Sequence, residues 1–246
     1  MRLTVLGAGP AYTDRQDAAG AAYLVTDGGT NVLLDLGQGA FPRLFPHVQP
    51  ADLDAVLVSH LHPDHFIDLV PLRHYLRYEF EPPRRVRVLA PRGLADRLDA
   101  LHAEPGFTAE ALDCELLGPA RRIGSLSIET GLVAHTDESY AIRVAAEAGP
   151  GLVYSGDCGR ATDLVPLIRQ GDALLVEAAF GPGPVLDGVL HLDGPAIGEL
   201  AAVTRPGRIF LTHILAGRDP DATIAAVRAL WDGPVEFVWP GTQLDL

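Results

Sequence analysis

Cysteine is almost missing from this chain of 246 residues, with Cys114 and Cys158 the only two. That excludes a disulfide framework and a zinc site built on thiolates, and leaves the pair as small packing residues. Cys158 is worth noting only because it follows Asp157. Long apolar runs are absent too: no uninterrupted stretch approaches 18 residues although 48% of the chain is hydrophobic. A membrane-spanning helix is thereby excluded, and the apolar residues are left to a buried core. The N-terminus lacks charged, apolar and cleavage regions in series, because Met1 to Leu6 enters a strand-like run at once. No secretory leader is expected, and a cytoplasmic location follows.

Basic residues are the scarcer charge, 19 against 32 acidic, for a net charge of −13. Phosphate contacts by Lys and Arg supply most non-specific affinity for nucleic acid, so nucleic acid is the less favoured partner. The Arg-rich pieces, Arg73 to Arg87 and Arg121-Arg122, read as solvated faces. An acidic protein can still carry a local positive patch. No linker rich in Ser and Pro divides the chain, so residues 1–246 are expected to form one domain. At that length a chain buries roughly 70 to 75% of its unfolded surface.

Strand-like and helix-like segments alternate. Leu3 to Gly7, Ala22 to Thr26, Val32 to Asp35 and Ala55 to Ser59 read as strands, with helices at Phe66 to Phe80 and Gly93 to His102. The second half gives strands at Ser125 to His135, Tyr140 to Ala146, Gly151 to Asp157, Ala173 to Glu177, Arg208 to His213 and Pro234 to Trp239. Its helices are Asp193 to Val203 and Asp221 to Leu230, with Asp193 and Asp221 as their N-caps. By itself this alternation supports a mixed α and β fold.

The densest chemistry lies in Ser59-His60-Leu61-His62-Pro63-Asp64-His65, directly after the apolar run Ala55 to Val58. Crowded imidazoles and carboxylates cost desolvation energy and serve no folding purpose, whereas they are good ligands for a divalent cation. The segment is a candidate two-metal centre, with His60 and His62 on one ion and Asp64 and His65 on the other.

This stretch resembles the His-x-His-x-Asp-His signature of the metallo-β-lactamase superfamily of hydrolases. The resemblance extends along the chain: His135, Asp157 and His213 each close an apolar run, in the order in which that superfamily carries its remaining ligands. It implies a four-layer αββα sandwich of the α+β class. It also implies one metal held by His60, His62 and His135, another by Asp64, His65 and His213, and Asp157 bridging the two. Zn²⁺ suits such His-rich ligation best, with Mn²⁺, Fe²⁺ or Co²⁺ able to use the same atoms. A cation pair lowers the pKa of bound water and clamps the attacked group, so hydrolysis is the expected chemistry. Ser59, Thr212 and Asp68 are candidates to orient the ligand imidazoles.

Within the superfamily the chain resembles the ribonuclease Z-like branch. Leu3 to Gly9, Leu174 to Phe180 and His191 to Ile197 carry that likeness. The β-lactam-hydrolysing branches lack a bridging Asp at this point, so Asp157 argues against β-lactamase activity. The resemblance implies that Glu177 and His191 pair near the scissile phosphate, His191 assisting the leaving group and Glu177 orienting it. Asp64 joins them as a catalytic residue. The Gly/Pro-rich loop from Phe180 to His191 is a candidate lip of the pocket. Two departures bear on the substrate. Only 21 residues separate His135 from Asp157, too few for the arm with which tRNA-processing members grip their substrate, and Val176 stands where the branch usually has a His. The preferred reading is a phosphodiesterase acting on a small or cyclic nucleotide. The alternatives are a tRNA 3′-processing endoribonuclease, an ester, thioester or lactone hydrolase on the same metals, and a non-catalytic binding protein. The resemblance also implies a homodimer.

Overall fold

The computed structural model describes all residues from Met1 to Leu246. Strands β1 (Arg2–Gly7), β2 (Ala22–Asp27) and β3 (Thr30–Leu34) form an antiparallel meander. Its second turn uses Gly28 and Gly29 at φ of 53° and 88°, the left-handed pair that a two-residue hairpin needs. Then come β4 (Ala55–Leu57), α1 (Pro63–Phe66), α2 (Leu69–Tyr78), β5 (Val86–Ala90), α3 (Leu94–His102) and β6 (Leu112–Leu116), with β3 to β6 running parallel.

The second sheet opens with β7 (Ala120–Ile123), β8 (Leu126–Leu132) and β9 (Tyr140–Ala145), antiparallel throughout. It continues through β10 (Leu152–Tyr154), β11 (Ala173–Glu177), α4 (Gly194–Thr204), β12 (Arg208–Thr212), α5 (Pro220–Arg228) and β13 (Val235–Phe237), with β10 to β13 parallel. The last strand, β14 (Gln243–Asp245), returns to pair with β1. The result is two seven-stranded mixed sheets, ordered β14-β1-β2-β3-β4-β5-β6 and β13-β12-β11-β10-β9-β8-β7.

Strand alternation sorts the core into layers. Leu3, Val5, Tyr23, Val25 and Leu57 meet Ile142, Tyr154, Leu175 and Phe210 between the sheets. Their sequence neighbours Leu6, Leu24, Leu33, Val56 and Val88 face outward onto Leu69, Leu72, Leu76, Leu94 and Leu98 of α2 and α3. On the far side Val153, Leu174, Val176 and Leu211 pack under Ile197, Leu200 and Val227 of α4 and α5. These layers make the αββα sandwich that the family resemblance implies. No helix is long and apolar enough to cross a membrane.

Several boundaries differ from expectation. The single helix expected over Phe66 to Phe80 is broken in two. A continuous helix would give the Asp64 carbonyl to the Asp68 N–H, but Ala21 N takes that carbonyl at 3.0 Å and Asp68 N donates to Leu36 O instead. Asp193 caps α4, its carboxylate accepting from Ala196 N. The cap of α5 is Asp219 rather than Asp221, bonding the N–H groups of Asp221 and Ala222. Pro220 accounts for it, because proline favours the first helical position, which places the cap at Asp219 before it. Strands β5, β6, β7 and β14 were not expected. β6, β7 and β14 are half-exposed edge strands that carry no continuous apolar run, and ion pairs line them, Arg87 and Arg121 with Glu115 and Arg2 with Asp245.

Candidate metal centre

Strands β4, β10, β11 and β12 all finish on one edge of the sandwich, and the polar residues that follow them converge there. Carboxyl ends of parallel strands are where such folds place ligand sites, because the strands are buried and only their ends can present polar groups. After β4, His62 stands as the extended residue before α1, with Pro63 at the first helical position. This turn delivers Asp64 and His65 inward, buried, while His62 stays exposed.

Asp157, buried after β10, sits in the middle. Its Oδ2 lies 3.7 Å from His60 Nε2 and 3.5 Å from His135 Nε2. Its Oδ1 lies 3.3 Å from both His65 Nε2 and His213 Nε2. The Asp64 Oδ2 stands 3.7 Å from His65 Nε2 and 3.8 Å from His213 Nε2. His62 Nδ1 lies 3.1 Å from His135 Nε2. Most of these separations are longer than hydrogen bonds, yet two ligands each about 2.1 Å from a shared tetrahedral cation would lie roughly 3.4 Å apart. The groups fall into two sets, His60 with His62, His135 and Asp157, and Asp64 with His65 and His213. All seven residues proposed from the sequence as ligands are therefore brought together, with one Asp157 oxygen turned to each set.

The residues fit a pair of cations on a second ground. His60 Nε2, His65 Nε2 and Asp157 Oδ1 are buried without any hydrogen-bond partner, a condition that costs free energy unless something positive is received there. The outer nitrogens explain the orientation of the inner ones. His65 Nδ1 donates to Asp35 Oδ2 at 2.7 Å, His60 Nδ1 donates to Ser59 Oγ at 3.1 Å, and His135 Nδ1 donates to Leu190 O at 2.8 Å. Each bond holds the proton on the outer nitrogen and turns the Nε2 lone pair toward the cluster.

The charge states agree. Burial pushes the Asp157 carboxyl up, but His213 and His65 outweigh it and hold it well below the usual range. Burial pulls His65 down, yet Asp157 and Asp35 hold its pKa well above the ordinary value. Burial and the neighbouring His65 leave His60 well below it. Ionised carboxylate among buried imidazoles is an arrangement that binds positive charge, and a metal ion would take the place of the protons.

Asp35 was missing from the sequence-based candidates. It sits at the end of β3 with φ of 58° and is fully buried. Its carboxylate accepts from Ser59 N at 2.6 Å and from Ser59 Oγ, Tyr154 OH and His65 Nδ1 at 2.7 Å each. The available signal was a lone carboxylate closing the wholly apolar run Val32 to Leu34. Of the three residues suggested as orienting groups, Ser59 does face a ligand. Thr212 and Asp68 do not: Thr212 Oγ1 pairs with Tyr23 OH at 2.6 Å, and Asp68 Oδ2 accepts from Phe41 N at 2.8 Å. Both are spent on neighbouring loops and strands.

Beside the cluster, Glu177 ends β11 and is buried. Its Oε1 accepts from His191 Nδ1 at 2.9 Å, from Cys158 N at 3.1 Å and from Leu192 N at 3.2 Å, while Oε2 accepts from Ala179 N at 2.9 Å. The His191 ring lies 4.8 Å from that of His135 and 6.2 Å from that of His213, centroid to centroid. It thus overlooks one residue of each ligand set. Burial pulls the His191 pKa down, but the Glu177 hydrogen bond and charge raise it to about 9. The loop before it, from Phe180, brings the Phe180 ring within 6.3 Å of the imidazole.

A family described as the β-lactamase superfamily domain matches residues 25–214. An uncharacterized protein of Mycobacterium leprae is 33% identical across all of this chain and 89% of its own length. Ribonuclease Z of Pyrobaculum calidifontis is 31% identical over 90% of this chain and 88% of that protein. Among solved structures, the metallo-β-lactamase fold protein YhfI from Bacillus subtilis superposes with a TM-score of 0.87 at 21% identity, covering 99% of this chain and 98% of that one.

Proposed function

The chain belongs to the metallo-β-lactamase superfamily, in its ribonuclease Z-like branch, and on that premise we propose that it is a dinuclear metal-dependent phosphodiesterase of small or cyclic nucleotides. The observation that carries the diester reading is His191, held by buried Glu177 and overlooking both ligand sets. An ester with a poor alkoxide leaving group needs a proton at the departing oxygen, whereas a thioester can expel its thiolate without one.

His60, His62, His135 and Asp157 would hold one cation, and Asp64, His65, His213 and Asp157 the other, with Zn²⁺ the preferred identity. When bound, the pair supplies an acidified water and charge neutralisation for the phosphate. The chain's own residues do the rest. Glu177 accepts a hydrogen bond from His191 Nδ1 and its charge favours the doubly protonated ring, so that Nε2–H is the proton offered to the leaving oxygen. Three backbone N–H groups fix Glu177, which keeps the imidazole from turning away. Asp64, buried in the second set with its Oδ2 3.7 Å from His65 Nε2 and 3.8 Å from His213 Nε2, would act through the cation it helps to hold.

A tRNA substrate is disfavoured by the same stretch of chain. The 21 residues between His135 and Asp157 hold β9, β10 and the short connections around them, with no segment long enough to project as an arm. The test is a substrate panel on metal-loaded protein: bis-p-nitrophenyl phosphate, 2′,3′- and 3′,5′-cyclic nucleotides, a lactone and a thioester. Turnover of the diesters is expected. Turnover of the lactone or thioester with none of the diesters would overturn the reading.

A further inference from the structure

Beside the metal centre lies a pocket of about 260 Å³ whose wall includes Ala8, Gly9, Arg15, Asp17, Arg43 and Trp239. It adjoins the site through the backbone. Ala8 gives its carbonyl to the N–H of His213 at 3.0 Å, and Arg15 Nη1 reaches the carbonyl of Ile214, the next residue, at 3.5 Å. Pocket and second ligand set therefore share a wall. Whole small-molecule ligands occupy roughly 300 to 1,000 Å³, so this space suits one part of a substrate.

Its chemistry is that of an anion site. The chain has no lysine, so its permanently charged basic side chains are all guanidiniums, the fork that matches phosphate oxygens in pairs. Neither Arg15 nor Arg43 has a carboxylate partner. Arg43 Nη2 is spent on the backbone carbonyl of Asp17 at 2.7 Å, and Arg15 makes only the long contact to Ile214. Arg15 is instead held by stacking, its guanidinium carbon 4.9 Å from the centre of the Trp239 ring. That ring in turn stacks on Phe237 at 5.5 Å and 19°. The indole thus supports a half-buried guanidinium. Asp17 contributes the only carboxylate on the wall, and with two arginines the wall keeps a net positive charge inside a chain of net charge −13. Such a local reversal concentrates an anionic group beside the cluster.

We propose that Arg15 and Arg43 form a subsite for a second phosphate of the substrate, separate from the diester that is cleaved. The substrate class is then a nucleotide diester bearing an additional phosphate, and the claim rests on the phosphodiesterase reading above. The diester sits at the metal centre, and the extra phosphate enters between the two guanidiniums. Arg15 and Arg43 determine specificity and touch no reacting atom.

The experiment compares two chromogenic diesters on the metal-loaded enzyme, the p-nitrophenyl ester of thymidine 5′-phosphate and the same ester carrying a 3′-phosphate. The 3′-phosphorylated compound is expected to have the higher kcat/KM by about tenfold or more, the usual worth of charge-assisted hydrogen bonds. Arg15→Ala and Arg43→Ala should each pull that ratio toward one. Arg15→Lys, which keeps the charge and loses the fork, should fall between. A ratio near one in the unaltered enzyme, or a high ratio that survives both alanine changes, overturns the subsite. If neither ester turns over, the phosphodiesterase reading fails, and the pocket is judged by binding alone. For that, Trp239 fluorescence is followed in Trp231→Phe protein during titration with thymidine 3′,5′-bisphosphate and with thymidine 5′-monophosphate. Tighter bisphosphate binding that Arg15→Ala abolishes upholds the subsite, and equal affinities sink it.

Discussion

Asp35 Oδ2 accepts a hydrogen bond of 2.7 Å from Nδ1 of His65, and so decides which nitrogen of that ring is left to face Asp157. A carboxylate behind a ligand imidazole fixes its tautomer and raises its basicity, and losing it typically costs 10- to 100-fold in metal affinity. Asp35→Asn keeps the shape and removes the charge. Chelator competition should show one of the two metals weakened by about that factor, with the other much less affected. Equal weakening of both, or of neither, would remove Asp35 from this role.

Asp157 offers one oxygen to each set of imidazoles, so its loss should be felt twice. Purified protein should carry close to two divalent ions per chain, and Asp157→Ala should lose both, together with activity. His60→Ala should deplete one ion preferentially. Elemental analysis of the three proteins decides the matter, and full occupancy in Asp157→Ala would contradict the bridging assignment.

If His191 delivers a proton, its removal matters most where the leaving group is poor. His191→Ala should retain its metals yet lose about 10²- to 10⁴-fold in kcat on alkoxide leaving groups. The loss on p-nitrophenolate should be much smaller, and Glu177→Gln should show a milder form of the same selectivity. Equal losses on both leaving groups, or departure of a metal, would assign His191 to binding or ligation.

Away from the site, Arg143 and Asp172 form a buried, two-point ion pair at 2.7 and 2.9 Å, and Gly151 N donates to the same carboxylate at 2.7 Å. Removing Asp172 leaves the buried Arg143 only its longer contact to Glu129 at 3.5 Å, so Asp172→Ala should destabilise the fold by up to about 3 to 5 kcal/mol, the cost of a fully stranded charge. Burial raises the Asp172 pKa, but Arg143 and the backbone donors outweigh it and hold it below the usual range. A depressed folded-state pKa gives stability that is present above the unfolded value of about 3.9 and lost as pH falls through the folded one. Asp172→Asn should therefore flatten the acid limb of the stability profile, as followed by denaturant melts from pH 6 downward. An unchanged limb would show that Asp172 does not drive it.

Asp219 bonds the N–H groups of Asp221 and Ala222 at 2.9 and 3.2 Å. Asp219→Ala should cost about 0.5 to 2 kcal/mol, the usual worth of an N-cap, and Asp221→Ala less. Thermal melts of the two variants would rank them, and the reverse ranking would contradict the cap.

The sequence by itself determined a mixed α and β fold and the crowding of His60, His62, Asp64 and His65 into one segment, because both are written locally, while the αββα layering and the full set of seven residues came from the family resemblance. Strand alternation repeats every second residue, His60, His62, Asp64 and His65 stand together directly after the apolar run Ala55 to Val58, and His135, Asp157 and His213 each close an apolar run. What it could not determine is how polar groups distant in the chain share partners. Asp35 reads as a strand-end residue until folding sets it against His65, 30 positions away, and Tyr154, 119 away. Asp68 and Thr212 were plausible by proximity to ligands, but Phe41 N and Tyr23 OH claim them. Helix α1 stops where it does because Ala21 competes for the Asp64 carbonyl, a contact between segments that no local propensity encodes. Hydrogen-bond partnership is a property of positions in space, and only the packed sheets bring those positions together.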